Sequence, residues 1–464
     1  MEELDESQPR AAWKLISGPL LGVIAWVWAG YSGWGEAIAI TLGLTLWVAA
    51  WWVTAAIPHA FTSLLPLALL PLSGVLSAKE VAESYGNPLI LLLAGGFMMA
   101  SALQKNGAHR RLALGMVHLF GGGSGRRLVW GFAIATGLTS MWISNTATTL
   151  MMVPVALAVL ETYPDRRLAV PLLLAIAYAA SIGGLGTPVG SPPNLVFMQS
   201  YGQATGTALG FSDWLRFGLP TVALLLPALS WWMARPLTDT PTATLPKLGP
   251  WTSAERRVLL VFGLVALAWV TRSEPFGGWS YLFNLPKAND ASVALLGAVL
   301  MALVPNGRDG SLLDWQTAQR IPWGALILFG GGIALATAFE TSGLSGLIAA
   351  SLQGLLSWPL LLQIALIVAS VILLSEIASN TATAVLLMPL LAAAALAAEI
   401  DPALLMVPAV LAASCGFMLP VATAPNAIVF ATPQIEARDM LRHGAVLDLF
   451  CVIAISAVCY LLLG

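Results

Sequence analysis

The chain has 464 residues, of which 58% are hydrophobic and only 9% charged, with a formal net charge of −2. A soluble domain carries roughly a quarter charged residues, and apolar runs of about 20 residues recur along the whole length, so the composition points to a polytopic helical protein in a lipid bilayer. The near-neutral charge gives no footing for a nucleic-acid partner. Cys415, Cys451 and Cys459 lie in apolar surroundings without CxxC spacing, which argues against a disulfide framework or a cysteine metal centre and for small buried hydrophobes.

The opening MEELDESQPR is acidic, and no basic stretch precedes the first apolar segment, so that segment is expected to stay as a span rather than be cleaved. Spans are predicted near 16–31, 37–57, 60–76, 88–104, 168–185, 213–234, 256–272, 291–305, 322–339, 402–418 and 444–463. Segments 128–160 and 358–398 differ: at about 1.5 Å per residue each is long for one crossing, and each is interrupted near its middle by SNTAT. They read as re-entrant helical hairpins, giving about 11 transmembrane helices and two hairpins. GGGSGRR (121–127) lacks the GK[ST] ending of a phosphate loop and reads as a cytoplasmic connection. His59, His109, His118 and His443 share no spacing and read as interfacial or loop residues.

With the N-terminus cytoplasmic, only Lys79, Arg216, Arg272 and Lys287 of the 21 Lys and Arg fall outside, and none lies between Ile321 and Glu436. The positive-inside rule therefore predicts an inner-membrane protein with its C-terminus outside, and hairpins approaching from opposite faces.

Three blocks recur in order: LLLAGGFMMASALQKNG (91–107) with ILFGGGIALATAFETSG (327–343), SNTAT at 144–148 and 379–383, and PVGSPPN (188–194) with PVATAPN (420–426). Their offsets of 236, 235 and 232 are nearly constant, as an inverted-repeat transporter requires. The predicted organisation is N-terminal scaffold helices in 1–87, a first repeat 88–235 (hairpin 128–160, broken helix 168–200), a cytoplasmic linker 236–255, scaffold helices in 256–305, and a second repeat 322–464 (hairpin 358–398, broken helix 402–431). The fold class is thus an all-α polytopic membrane protein of inverted-repeat transporter type.

In each SNT the polar residues stand just ahead of a new helix. Ser, Asn and Thr cap helix starts, and a helix start offers free amides and about half a positive charge to an anion. One such cluster could equally be polar glue between helices; two copies, each followed by a Pro-Asn break, argue for an anion site built without Lys or Arg. The Gly and Pro residues of the downstream breaks free backbone carbonyls that a small cation can satisfy, and Gly190 and Ala422 would let theirs approach closely. Two helix starts leave a divalent anion short by about one unit of charge, so co-bound cations are expected. Glu376, three residues before Ser379, is an intramembrane carboxylate; a ligand role and a pairing role both stay open. A membrane-embedded enzyme would need a cluster of ionisable residues in the spans, and only isolated ones occur.

The twin motifs Ser144-Asn145-Thr146 and Ser379-Asn380-Thr381, with the two Pro-Asn loops and the chain length, resemble the divalent anion/sodium symporter family, whose members carry C4-dicarboxylates, citrate or sulfate. The resemblance implies a sodium-coupled symporter of a small dianion, most readily succinate, fumarate or malate, working as a homodimer of elevator type. It implies one sodium ion at Ser140, Ser144, Asn145 and Gly190 and another at Ser375, Ala378, Asn380 and Ala422. Substrate would contact Ser144, Asn145, Thr146, Ser379, Asn380 and Thr381, with Ser191 and Thr423 beside them. Ser375 stands where family members commonly have Thr, and Ala424 where they often have Pro. Sodium-independent dicarboxylate exchange, or citrate or sulfate carriage, is the alternative; the absence of Lys or Arg at the ion positions favours symport.

Overall fold

The computed structural model describes residues 12–120, 124–162, 166–237, 249–272, 278–308, 310–347 and 358–464. The acidic N-terminus, part of GGGSGRR and most of the expected linker 236–255 lie outside the described residues. Among those described, the regular elements are helices, joined by one isolated bridge between Pro305 and Ser311. Among the described residues eight helices are long and apolar enough to cross a membrane, and five further apolar stretches are shorter.

The N-terminal part comprises α1 (Ala12–Tyr31), α2 (Glu36–Thr54), α3 (His59–Thr62), α4 (Leu64–Leu72) and α5 (Ala78–Tyr85). The single span expected at 60–76 is two short helices parted at Ser63. Its hydroxyl donates back to His59 O at 2.7 Å, and its carbonyl accepts the Tyr85 hydroxyl, so the chain turns there instead of continuing. Next come α6 (Pro88–Lys105), started by Asn87 capping the Leu89 amide with Pro at the first helical position, and α7 (Ala108–Phe120).

In the first hairpin, α8 (Gly125–Ser140) runs to a turn at 141–144 and α9 (Asn145–Thr162) returns. In the second, α18 (Leu360–Ser375) and α19 (Asn380–Ala397) meet at 376–379. Each hairpin leads into a broken helix: α10 (Arg166–Gly184) and α11 (Pro192–Thr205) in the first repeat, α20 (Ala403–Ala413) and α21 (Ala424–Phe430) in the second. Each repeat closes with a long helix, α12 (Phe211–Ala234) and α22 (Ala437–Leu463). Between the repeats lie α13 (Ser253–Val270), α14 (Gly278–Leu282), α15 (Asp290–Leu303) and α16 (Trp315–Ala318), and α17 (Trp323–Ser342) opens the second.

Contacts at the helix ends fix the direction of each hairpin. Arg166 pairs with Glu436 at 2.6 Å and Asp439 at 2.9 Å, so the base of the first hairpin lies at the start of α22. The base of the second lies at the other end of α22, where Gly464 approaches Leu360. A helix of 27 residues spans about 40 Å, so the hairpins enter from opposite ends of the bundle.

Packing between repeats is crossed: α9 lies on α21, and α19 on α11. The whole of α10 from Leu168 to Gly184 is buried at the centre of this arrangement. From there the Tyr178 hydroxyl donates to the Phe417 carbonyl across the repeat boundary at 2.8 Å. By contrast α1 exposes Trp13, Ile16, Leu20, Ile24 and Trp28, a surface suited to hydrocarbon.

Candidate functional site at the two broken helices

The first break begins where α10 ends at Gly184. Thr187 turns its hydroxyl onto the Met141 carbonyl at the hairpin tip, and the Asn194 amide donates to Gly184 O at 2.9 Å and Thr187 O at 2.8 Å. Ser140 Oγ lies 2.7 Å from both Asn145 Oδ1 and Ala180 O. A Cβ on Gly190 would stand 2.7 Å from Gly184 O and 3.0 Å from Met141 O. Ser140, Asn145 and Gly190 are thus brought together around converging oxygens, and only glycine fits the last position without displacing a carbonyl. Ser144, the fourth expected ion ligand, faces its own helix: its hydroxyl accepts the Ala147 amide at 3.3 Å.

The second break has the same frame. Asn426 donates to Gly416 O and Leu419 O, each at 3.0 Å, as Asn194 does in its own repeat. The break carbonyls expected to be free for cations are therefore in part held by these two asparagine amides. The expected span 402–418 stops at Ala413 because the amides beyond it are drawn to Glu376: Oε1 accepts from Phe417 at 2.6 Å and Met418 at 2.8 Å, and Oε2 from Leu419 at 2.8 Å. The carboxylate left open by the sequence is thus an anchor for the unwound backbone.

The expected ion positions of the second repeat differ from those of the first in their bonding. Ser375 Oγ and Asn380 Oδ1 are both buried and without a hydrogen-bond partner. Ala378 and Ala422 are buried beside them, and a Cβ on Gly416 would stand 3.1 Å from Ser375 O and 3.2 Å from the Ala422 Cβ. Buried oxygens left unpaired are expensive. An oxygen-only donor set of this kind suits a small hard cation in both repeats.

Ser144, Asn145 and Thr146 are half-buried, as are Ser379, Asn380 and Thr381, and each triplet stands at the start of an 18-residue helix. Neither triplet is bonded to the other. Ser191 is buried, its hydroxyl 3.4 Å from that of Ser414 on the opposite repeat, while the Thr423 hydroxyl caps the Asn426 amide at 3.2 Å. No Lys or Arg occurs in 140–149, 180–194, 375–384 or 412–426. A cavity of about 310 Å³ lined by Ser200, Gln203, Glu340 and Pro389 lies along the far parts of α11 and α19 and touches neither triplet.

The tips are supported differently. Trp142 at the first packs against Phe211 and Phe262, with ring centroids at 6.0 and 5.4 Å; the matching Ile377 is 64% exposed. Asp448 on α22 is a functional candidate that sequence reasoning missed. It is buried beside Glu376, and its one signal was a lone carboxylate inside the apolar stretch HGAVLDLFC.

Comparison with known proteins agrees with this architecture. The family described as Citrate transporter matches residues 49–407. The sodium-dependent dicarboxylate transporter SdcS of Staphylococcus saprophyticus is 39% identical over 97% of this chain and 90% of its own length. SdcS of Staphylococcus aureus strain USA300 is 36% identical over 96% and 90%. Among solved structures, the Alcanivorax borkumensis YdaH transporter superposes with a TM-score of 0.60 at 15% identity, covering 82% of this chain and 86% of that one, a likeness of fold. These relatives are transporters rather than enzymes, and identity of this extent over nearly the whole length makes the chain a member of the divalent anion/sodium symporter family of multi-pass membrane transporters.

Proposed function

We propose that the protein is a secondary transporter that couples sodium to the uptake of a small divalent anion, most readily a C4-dicarboxylate such as succinate, fumarate or malate. One observation carries the reading: buried, unpartnered Ser375 Oγ and Asn380 Oδ1 lie directly behind a helix start that has no cationic side chain near it. The helix starts of α9 and α19 attract the anion with about half a unit of charge each, so a dianion stays under-neutralised by about one unit. Bound sodium would supply the missing positive charge. The named SdcS relatives, sodium-dependent dicarboxylate transporters, support the same coupling.

In this reading Ser140, Ser144, Asn145 and Gly190 hold one ion, and Ser375, Ala378, Asn380 and Ala422 the other. Ser144, Asn145 and Thr146 face the substrate from one side and Ser379, Asn380 and Thr381 from the other, with Ser191 and Thr423 lining the break. Asn145 and Asn380 serve both ion and anion, which makes anion binding depend on prior cation binding. The hairpins and broken helices move together against the remaining helices, in a homodimer whose N-termini face the cytoplasm and whose C-termini face outside. Uptake of labelled succinate into proteoliposomes under an inward sodium gradient is expected to exceed uptake with choline in its place, and equal rates would sink the coupling. Because the matching family is described by citrate, citrate competes in the same assay: stronger inhibition by citrate than by succinate would move the substrate to the tricarboxylate.

A further inference from the structure

The triplets stand at helix starts; at the opposite ends of the helices the polarity reverses. The cavity of about 310 Å³ is walled by the last turns of α11, α17 and α19, through Gln203 and Ala204, Phe339 and Glu340, and Leu396 and Ala397. A helix end carries about half a negative charge, and three of them meet here beside the Glu340 carboxylate. No Lys, Arg or His stands on any of the three helices, so the walls offer Glu340 no basic partner. Two further oxygens belong to the same wall. Ser200, 7% exposed, lines the cavity, and among the described residues its hydroxyl makes no hydrogen bond. Gln203 is oriented by α17: the Thr337 hydroxyl donates to Ile333 O at 3.1 Å and so has only acceptor capacity left for its neighbour. Gln203 accordingly turns its amide NH₂ to Thr337, at 3.5 Å, and its Oε1 stays buried without a partner. A carboxylate, an amide oxygen and a hydroxyl can together accept the three N–H bonds of a primary ammonium, while Phe339, Pro389 and Leu396 offer apolar surface to a carbon body. An anion would meet repulsion from the same groups.

We propose that the cavity between α11, α17 and α19 binds a small primary ammonium with an apolar body, held by Glu340, Gln203 and Ser200 and separate from the substrate and sodium positions. Pro389 in its wall lies about 13 Å along α19 from Asn380, so an occupant there leaves the triplet free. A consequence for transport rests on the elevator reading given above, in which α11 and α19 move with the hairpins and broken helices while α17 stays. The hydrogen bond that joins the two sides here, from Gln203 to Thr337, is long. A bound ammonium adds charge-assisted bonds to both sides at once, and acts as a wedge that slows uptake without competing for the substrate.

The test is a thermal-shift series on the full-length protein in detergent at neutral pH, with sodium and succinate present in excess and 2-phenylethylamine as the probe. The amine is expected to raise the melting temperature saturably. Two relatives of the probe separate charge from hydrogen bonding: 2-phenylethanol has the same body without charge, and the N,N,N-trimethyl form keeps the charge without N–H donors. Each is expected to bind about tenfold more weakly than the amine, or worse. Glu340→Gln should weaken amine binding about tenfold while leaving the response to sodium unchanged. No saturable shift with the amine, an equal shift with either relative, or an undiminished shift in Glu340→Gln overturns the site. If the variant fails to fold, the three probes on the parent protein decide alone. In proteoliposomes the amine should lower maximal succinate uptake without raising the succinate concentration that gives half of it; a competitive pattern, or unchanged uptake when the amine saturates, overturns the wedge. A parent protein that takes up no succinate would sink the transport reading instead, and the binding series would still decide the site.

Discussion

At the first break Leu185 and Gly186 return their amides to Ile182 and Gly183, a turn closed by its own backbone, with Thr187 reaching over to the hairpin tip. At the second, Phe417, Met418 and Leu419 give theirs to a side chain from the neighbouring hairpin, Glu376. The same contrast runs through the proposed ion positions, where Ser140 bonds Asn145 and Ser375 and Asn380 share no such bond. It recurs at the tips, one pinned by Trp142 between aromatic rings and the other ending in an exposed Ile377. One repeat therefore holds its shape with internal bonds, while the other depends on one carboxylate and on whatever satisfies its buried oxygens. In a transporter this makes the second repeat the one whose order responds most to ligands.

The sharpest way to break that contrast is to remove the matching asparagines. Asn145→Ala and Asn380→Ala should each abolish sodium-driven uptake, a loss of about 100-fold or more, because in the proposed site each would take a ligand from an ion and a donor from the anion. Their stabilities should separate. Without sodium, Asn145→Ala takes one of the two acceptors of Ser140, leaving the Ala180 carbonyl, and costs about 1 kcal/mol or less, whereas Asn380→Ala removes an oxygen that has no bond to lose. With sodium, the parent gains stability from binding and Asn380→Ala loses most of that gain. Melting curves in detergent with and without sodium measure both, and an Asn380→Ala protein that keeps the full sodium effect would contradict the second ion site.

Anchoring of the breaks supplies the next contrast. Glu376→Gln replaces a carboxylate facing three amides with a group that has one acceptor and two unwanted donors, at a cost of about 3 kcal/mol. Thr187→Val, which loses the one hydroxyl bond across the first break, should cost about 1 kcal/mol. Denaturant unfolding of the two variants in detergent compares them, and equal losses would mean that the carboxylate is not the principal anchor.

Glycine at the first ion position offers a smaller but cleaner effect. Gly190→Ala puts a methyl 2.7 Å from a carbonyl oxygen and should lower uptake about tenfold by displacing it. The second repeat already has a methyl at Ala422, so Ala422→Gly should change uptake less than about twofold. Transport rates at saturating sodium test the pair, and a tolerated Gly190→Ala would show that the Gly184 and Met141 carbonyls need not converge.

Much of this contrast was hidden in the sequence for physical reasons. The SNTAT copies were legible because polar atoms in an apolar run require an explanation, and the breaks because Gly and Pro interrupt helices. Hydropathy counts apolar segments but not where their amides go. It joined α3 and α4 across Ser63 and carried α20 to residue 418, since nothing local says that Tyr85 takes one carbonyl or that Glu376 takes three amides. Asn194 and Asn426 were visible within the Pro-Asn motifs, yet their double bonds to the carbonyls appear only when the break is folded. Asp448 gains its meaning from a partner on another helix, and no spacing rule connects the two.

The smallest effect is expected where the repeats meet at the surface. Arg166 bridges from the start of α10 to Glu436 and Asp439 at the start of α22, and it is about half exposed there. Hydrogen bonding from Arg166 holds the Glu436 carboxyl below its ordinary value of 4.5. A carboxyl lowered in the folded state contributes stability that is fully present above 4.5 and is lost as pH falls through the lowered folded value. The contribution of Arg166 should accordingly be constant through neutral pH and fade only in acid, and salt should screen it throughout. Arg166→Gln is therefore expected to leave uptake within about twofold of the parent, with any loss of melting temperature confined to low salt and pH above 4.5. The pair would be more than a surface tether if Arg166→Gln lowered uptake strongly at high salt, because a screened ion pair has little left there to lose.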